Sequence, residues 1–277
     1  GGSYSVDLPE FSYRFVVSSY SHISVDTIIN LYNDSLEIDF SLYPMVILYR
    51  EDFEDSNGAW TSTGADWEWG VPTSGPYAAH SGVNVWATNL SGEYSPYSDS
   101  RLTTVDIDLS SATHPTLSFY HWYNIESYWD GGNVKISVNG GSWQLLDNLN
   151  PPYNEDAASS GNAGIPGEPC YSGNGQGYWE EVTRDLSPYV GSTITLRFHF
   201  GSDSWVYYAG WYIDDVMVSY VDSTAGVATE ETPVVYSLRT PGITTGNKFN
   251  IRYSLPEKAK IELKVYDATG RLIKHIT

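Results

Sequence analysis

The sequence predicts an all-β protein organised around one large β-sandwich, and three observations predict it. Short stretches that alternate apolar and polar residues recur along the whole chain, broken by Gly, Pro, Asn and Ser, which is strand-and-turn patterning. No stretch carries the three-to-four-residue apolar repeat of an amphipathic helix. Aromatic residues reach 15%, led by 23 Tyr and 10 Trp, and such side chains favour the pleated, half-buried surface of a sheet.

The elements follow in chain order. Residues 1–45 hold "GSYSVDLP", "YRFVVSS" and "LEIDFSLYP", three short strands ending at Pro44. Residues 46–222 hold the main series, with strands expected at 83–89, 102–109, 116–122, 133–138, 143–146, 193–200 and 210–220. Asn139-Gly140-Gly141 in "VNGGSW" is a tight hairpin signal, because Asn and Gly tolerate the positive φ such turns need. A series this long of short strands fits a jelly-roll sandwich. Asn150–Gly177 is rich in Gly, Pro, Asn and Ser and reads as a long loop, of the kind that is either functional or tied down. A linker is expected over 223–232. Residues 233–277 then carry two strands joined across Pro256-Glu257-Lys258 and a third after Ala268-Thr269-Gly270.

Composition narrows the function. The formal charge is −20, from 14 Lys+Arg against 34 Asp+Glu, which opposes nucleic acid and anionic membranes and suits cations and solubility. The single cysteine, Cys170, excludes an internal disulfide and a cysteine-based zinc site. No apolar run approaches a membrane span. The six histidines show no HExxH pair, and no G-x-S-x-G elbow accompanies His80-Ser81 or His199. The expectation is therefore a protein that is not an enzyme.

"EDFEDSNGAW" (51–60), "WEWGVPTSGPYAAHSGVNVWATNLSGEY" (67–94), "YWDGGNVKISVNGGSW" (128–143), "LRFHFGSD" (196–203) and "GWYIDDVMV" (210–218) together resemble the MAM-like, or immune-inhibitor-A-like, jelly roll of secreted bacterial proteins. Residues 1–45 resemble the later half of a carboxypeptidase-regulatory-like (transthyretin-like) sandwich. Residues 233–277 resemble the first half of an Ig-like, FlgD-like C-terminal sorting domain. The resemblance implies a jelly roll flanked by partial sandwiches, a location outside the cell or at its surface, and a structural cation near the first and last jelly-roll strands.

Two adjacent acids, Asp214 and Asp215, interrupt the apolar "GWYIDDVMV". Strict alternation would put Trp211, Ile213, Asp215 and Met217 on one face and Tyr212, Asp214, Val216 and Val218 on the other. A carboxylate near packed surface needs compensation. Asp52 and Glu54, near the start of the jelly roll, are expected to join Asp214 and Asp215 as oxygen ligands of Ca²⁺, which prefers such donors. The alternative at this site is that one Asp accepts backbone N–H bonds while the other meets water. Glu126 and Asp130 in "ESYWDGG" could hold a second cation, but an Asp-Gly-Gly turn with a self-bonded carboxylate is the preferred reading. "YHWYNIESYW" (120–129) and "SDSWVYYAGW" (202–211) concentrate aromatics near acids, a pattern that serves sugar stacking or, more often, core packing.

These expectations combine into a non-catalytic, calcium-stabilised structural or adhesive protein. Its unfinished ends would let neighbouring copies join head to tail by strand donation into a filament. The second reading is an accessory tail of a secreted peptidase or glycosidase that binds glycan or extracellular protein.

Overall fold

The computed structural model describes residues 2–7, 12–19, 22–30, 37–41, 45–221, 248–254, 261–267 and 269–276. The linker expected at 223–232 and the turn at Pro256-Glu257-Lys258 lie outside them. The chain forms two compact units, one of Ile47–Tyr220 and one that combines Gly1–Val46 with Val221–Thr277.

In chain order the first strands are β1 (Gly2–Asp7), β2 (Ser12–Ser19), β3 (His22–Asn30) and β4 (Glu37–Ser41). Then come β5 (Met45–Glu51), β6 (Thr61–Thr63), β7 (Glu68–Gly70), β8 (Val85–Ala87), β9 (Asp99–Thr103) and β10 (Ile107–Asp108). The central strands are β11 (Thr116–Asn124), β12 (Gly131–Val138), β13 (Gln144–Leu145), β14 (Glu180–Asp185), β15 (Thr193–Gly201) and β16 (Gly210–Val221). The last are β17 (Lys248–Ser254), β18 (Ile261–Tyr266) and β19 (Leu272–Ile276). All-β architecture is borne out.

The terminal stretches, expected as separate partial sandwiches, pair with each other. β17 lies antiparallel to β1 and parallel to β4, and β18 lies between β2 and β19, with β3 beyond β2. Tyr13, Phe15 and Val17 alternate inward on β2, and Leu263 and Val265 of β18 sit opposite Val17 and Phe15. Strands from the two ends thus pair within one chain, with β1, β4, β19 and β3 left as the outer strands of their sheets.

In the 47–220 unit, one sheet runs β13-β12-β15-β9-β6 with β10 on β15, and the other runs β14-β11-β16-β8-β7 with β5 on β16. Ile194, Leu196, Phe198 and Phe200 alternate inward on β15, as do Val134 and Ile136 on β12. They form one core with Leu117, Phe119 and Trp211 of the other sheet. Trp211 is fully buried among Trp67, His121, Tyr171 and Phe198, with ring centroids 5.7–6.4 Å away. The Asn139-Gly140 turn takes positive φ at both residues, as expected, and Gly141 N–H closes it on Val138 O at 2.9 Å. The 146–179 segment is tied down by bridges at Glu155–Cys170, Gly132–Tyr171 and Asn124–Asn174. β14 escaped the sequence reading because, in "EEVTRD", Val182 is the lone apolar residue. Among the described residues, no helix is long and apolar enough to cross a membrane.

Two readings of local pattern are corrected. Alternation fails in β16: Trp211, Ile213, Val216 and Val218 all face the core. Ser118 pairs with Met217 but Tyr120 pairs with Asp214, so the strand bulges between them. Asp215, at φ 47°, is in the left-handed region there. The Gly-Gly after Asp130 is the start of β12, not a turn. A side chain at Gly132 would come within 2.2 Å of the Trp211 ring, and one at Gly131 within 2.4 Å of Cys170 Sγ. Backbone approach, not turning, requires glycine at both positions.

Candidate binding surface around Asp130

Three of the four expected metal ligands, Glu54, Asp214 and Asp215, converge on one loop, His80–Asn84, from opposite ends of the sequence, and Asp52 does not. Glu54 Oε1 accepts the N–H groups of Val83 (2.9 Å) and Asn84 (2.7 Å). Asp214, with no exposed surface, accepts N–H from His80 (2.9 Å) and Ser81 (3.2 Å) through Oδ2, and from Asp215 (2.8 Å) through Oδ1. Asp215 contacts His80 Nδ1 at 2.6 Å and accepts the Ser81 hydroxyl at 2.9 Å. Asp52 turns to Arg50 at 3.3 Å and to the Glu54 N–H at 3.3 Å. The compensation visible at Asp214 is therefore a set of backbone N–H bonds. Burial, reinforced by the Asp215 charge, still pushes its carboxyl up to about 7.

A second acidic cluster ties together loops at one end of the sandwich. Glu126, Asp130 and Asp203 bring carboxylate oxygens within 4.8 Å of one another, the one such group of three among the described residues. Asp130 is fully buried. Its Oδ2 accepts the Tyr94 hydroxyl at 2.7 Å, and its Oδ1 accepts the Asp203 N–H at 2.6 Å. This corrects the self-bonded turn expected from sequence, because the partners come from distant loops. Burial raises the Asp130 carboxyl to about 7, with the Asp203 and Glu126 charges adding to the shift and the two hydrogen bonds opposing it. Glu126 is raised in the same direction, first by burial and then by Asp203.

Three loops radiate from Asp130: those joining β8 to β9, β11 to β12, and β15 to β16. Asp203 O accepts the Tyr97 N–H at 2.6 Å, and Asp203 Oδ1 accepts the Trp205 N–H at 2.8 Å. The 146–179 segment buttresses the middle loop: Ser159 N–H donates to Tyr128 O and Asn162 Nδ2 to Trp129 O. Each loop presents apolar surface to solvent. Trp205 is 75% exposed and Tyr97 68%, with Tyr128, Trp129, Val206 and Tyr208 also exposed. Tyr97, Tyr128 and Val206 hold positive φ, one strained residue per loop. Strain of this kind persists only where surroundings enforce it, and it gathers at functional sites.

Of the aromatic runs singled out in the sequence, Tyr123 and Trp211 are core residues, whereas Tyr128, Trp129, Trp205 and Tyr208 are exposed. Tyr94 and Asp203 were not anticipated as site residues. The signal available was the aromatic neighbourhood of Asp203 in "SDSWVYY".

Comparison with known proteins places the chain among relatives. The family model described as "Immune inhibitor A-like, MAM domain" matches residues 88–231. Bacillopeptidase F of Bacillus subtilis (strain 168) is 30% identical over 234 residues, covering 81% of this chain and 14% of that protein. The chain thus spans about one seventh of that relative's length. A carbohydrate-binding module solved in complex with β-1,4-galactotriose aligns with TM-score 0.40 and 14% identity, over 62% of this chain and 94% of that one. The K3 cleaved adhesin domain of Lys-gingipain from Porphyromonas gingivalis aligns with TM-score 0.37 and 20% identity, over 63% and 98%. The family model accounts for more than half of the residues, and this chain belongs to the immune inhibitor A-like MAM domain family.

Proposed function

We propose that this chain is a non-catalytic accessory module of an extracellular protein, in the manner of a peptidase's binding tail, and that it holds carbohydrate on the loops around Asp130. One observation carries the reading. Exposed Trp205, Tyr97, Tyr128 and Trp129 sit on loops pinned to a single buried carboxylate. Ordered aromatic faces stack on sugar rings without a further entropy cost, and the oxygens of Glu126 and Asp203 accept sugar hydroxyls. The relationship to a peptidase far longer than this chain supports the accessory role. Calcium remains part of the proposal, held by the oxygens of Asp52, Glu54, Asp214 and Asp215. Its support is that acids from both ends of the jelly roll meet one loop, with carboxylate oxygens as the donors offered.

The test is retention of the full chain on immobilised polysaccharides, compared with Trp205→Ala and Tyr97→Ala. Both side chains are mostly exposed, so the thermal melts are expected to match the wild type. Affinity is expected to fall about tenfold for Trp205→Ala, in line with the ~1.4 kcal/mol expected from a lost stacking contact. Wild-type retention by both variants would remove the loops from the reading, and filaments in negative stain would restore head-to-tail assembly.

A further inference from the structure

The 47–220 unit has five Lys and Arg residues: Arg50, Arg101, Lys135, Arg184 and Arg197. Three of them, Arg101, Lys135 and Arg197, lie on β9, β12 and β15, adjacent strands of one sheet. Lys135 pairs directly with Arg197, and Arg197 pairs with Thr103, two residues from Arg101. Inward positions on these strands are taken by Val134, Ile136, Leu196, Phe198 and Leu102. The cationic side chains therefore share the outer face. In so acidic a molecule this concentration of positive charge stands out.

The three cations are not equivalent. Arg101 pairs with Asp99, and Lys135 pairs with Glu168 at 2.8 Å. Among the described residues Arg197 makes no ion pair with a carboxylate, although the Asp99 charge is near enough to be felt. Its guanidinium stacks 3.7 Å from the Trp143 ring centroid, and its Nε donates to Thr103 Oγ1 at 3.2 Å. Stacking holds the planar fork in one orientation, and one of its five N–H donors is used. Burial first and the like charge of Arg101 second disfavour the Arg197 charge, with Asp99 opposing them in part, and a bound anion would add to that opposition. On the same face the Thr103 hydroxyl accepts the Arg197 Nε–H and the Thr195 hydroxyl donates to Asp106 Oδ1 at 2.6 Å, and each keeps an oxygen lone pair for a sugar hydroxyl.

We propose that this sheet face is a second binding surface, on which Arg197 clasps the carboxylate of an acidic sugar chain. Three features select that occupant. A guanidinium fork matches a carboxylate in a two-point contact. β9, β12 and β15 are internal strands, so no free edge exists there for a peptide to extend the sheet. The negative charge of the molecule repels a densely charged polyanion such as nucleic acid, while a uronate chain spreads its charge among neutral hydroxyls. This surface stands independently of the Asp130 loops.

The experiment is calorimetric titration of the full chain, at low salt, with oligogalacturonate and with a neutral galactose oligomer of equal length. Oligogalacturonate is expected to bind and the neutral oligomer to bind at least about tenfold more weakly, a ~1.4 kcal/mol difference. Arg197→Gln is expected to abolish that preference, Arg197→Lys to retain part of it, and Trp205→Ala to leave it unchanged. Equal binding of the two oligomers would overturn the proposal, as would wild-type affinity in Arg197→Gln. Equal competition by polyglutamate would overturn the sugar assignment in favour of an acidic peptide. Loss of the preference in Trp205→Ala would move the site to the loops. If Arg197→Gln melts early, Arg197→Lys and Arg101→Gln decide, since each preserves the strand pairing, and wild-type preference in both overturns the proposal.

Discussion

Asp214→Ala lowers the stability of the 47–220 unit by about 3 kcal/mol, because three backbone N–H groups lose their acceptor and each such loss costs ~1–3 kcal/mol, least where water can reach. At roughly 2–4 °C per kcal/mol for a unit of this size, the melting temperature falls by about 6–12 °C. Asp214→Asn is expected to lose about half as much. It keeps one acceptor oxygen, but its amide turns donors toward donors. The same change frees the His80–Asn84 loop, so amide exchange at His80 and Ser81 accelerates in both variants. Glu54→Gln, which keeps the oxygen that Val83 and Asn84 bond, is expected to be milder than either. A melt within 1 °C of the wild type for Asp214→Ala, read against that ~6–12 °C scale, would show that this carboxylate does not hold the His80–Asn84 loop in place.

The second large effect is a reversal of the usual acid behaviour of carboxylates, seen in the presence of a chelator. Asp130 and Asp214 are both raised to about 7, burial being the leading cause at each. A carboxyl raised in the folded state binds a proton that the unfolded chain has released, so stability rises as pH falls through the folded value. The buried histidines oppose this. His121 is lowered, and His199 is lowered to about 4, both chiefly by burial. Each removes stability as pH falls below the ordinary histidine value near ~6.5. The melting temperature in chelator is therefore expected to climb from pH ~8 to pH ~6.5 and then level off.

If calcium binds as proposed, it takes the proton's place at the acidic oxygens, and it is then expected to raise the melt at pH ~8 and to do little at pH ~6. Glu54→Gln or Asp215→Asn is expected to abolish the calcium shift. If Glu126→Gln abolishes it instead, the ion belongs to the cluster at Asp130. Identical melts with calcium and with chelator at pH ~8 would sink the calcium proposal.

How much of this was legible beforehand differs by element. β11, β12 and β15 were readable because their inward residues recur every second position over eight or nine residues. The Asn139-Gly140 turn was readable because backbone sterics select those residue types. The loop acids were half legible: Glu126 and Asp130 could be named, but not Asp203, which lies 73 positions from its bond to Asp130. The paired aspartates were recognised as anomalous for the right reason, a carboxylate near apolar surface. Their local consequence, a bulge that changes which side chains face inward, was missed. Alternation assumes an unbroken strand, and only pairing with β11 shows where the break falls.

What the chain determined by itself is its all-β character, its hairpin chemistry and its family, since these rest on short-range patterns and motif order that any stretch carries with it. Tertiary structure alone decided three things: that the two ends of the chain share one pair of sheets, that Asp130 gathers three aromatic loops, and that Arg101, Lys135 and Arg197 meet on one face. The physical reason is common to all three. Side-chain periodicity is a property of neighbours in sequence. Strand register and the burial of a carboxylate against a distant N–H depend on free energy gained only when remote segments meet.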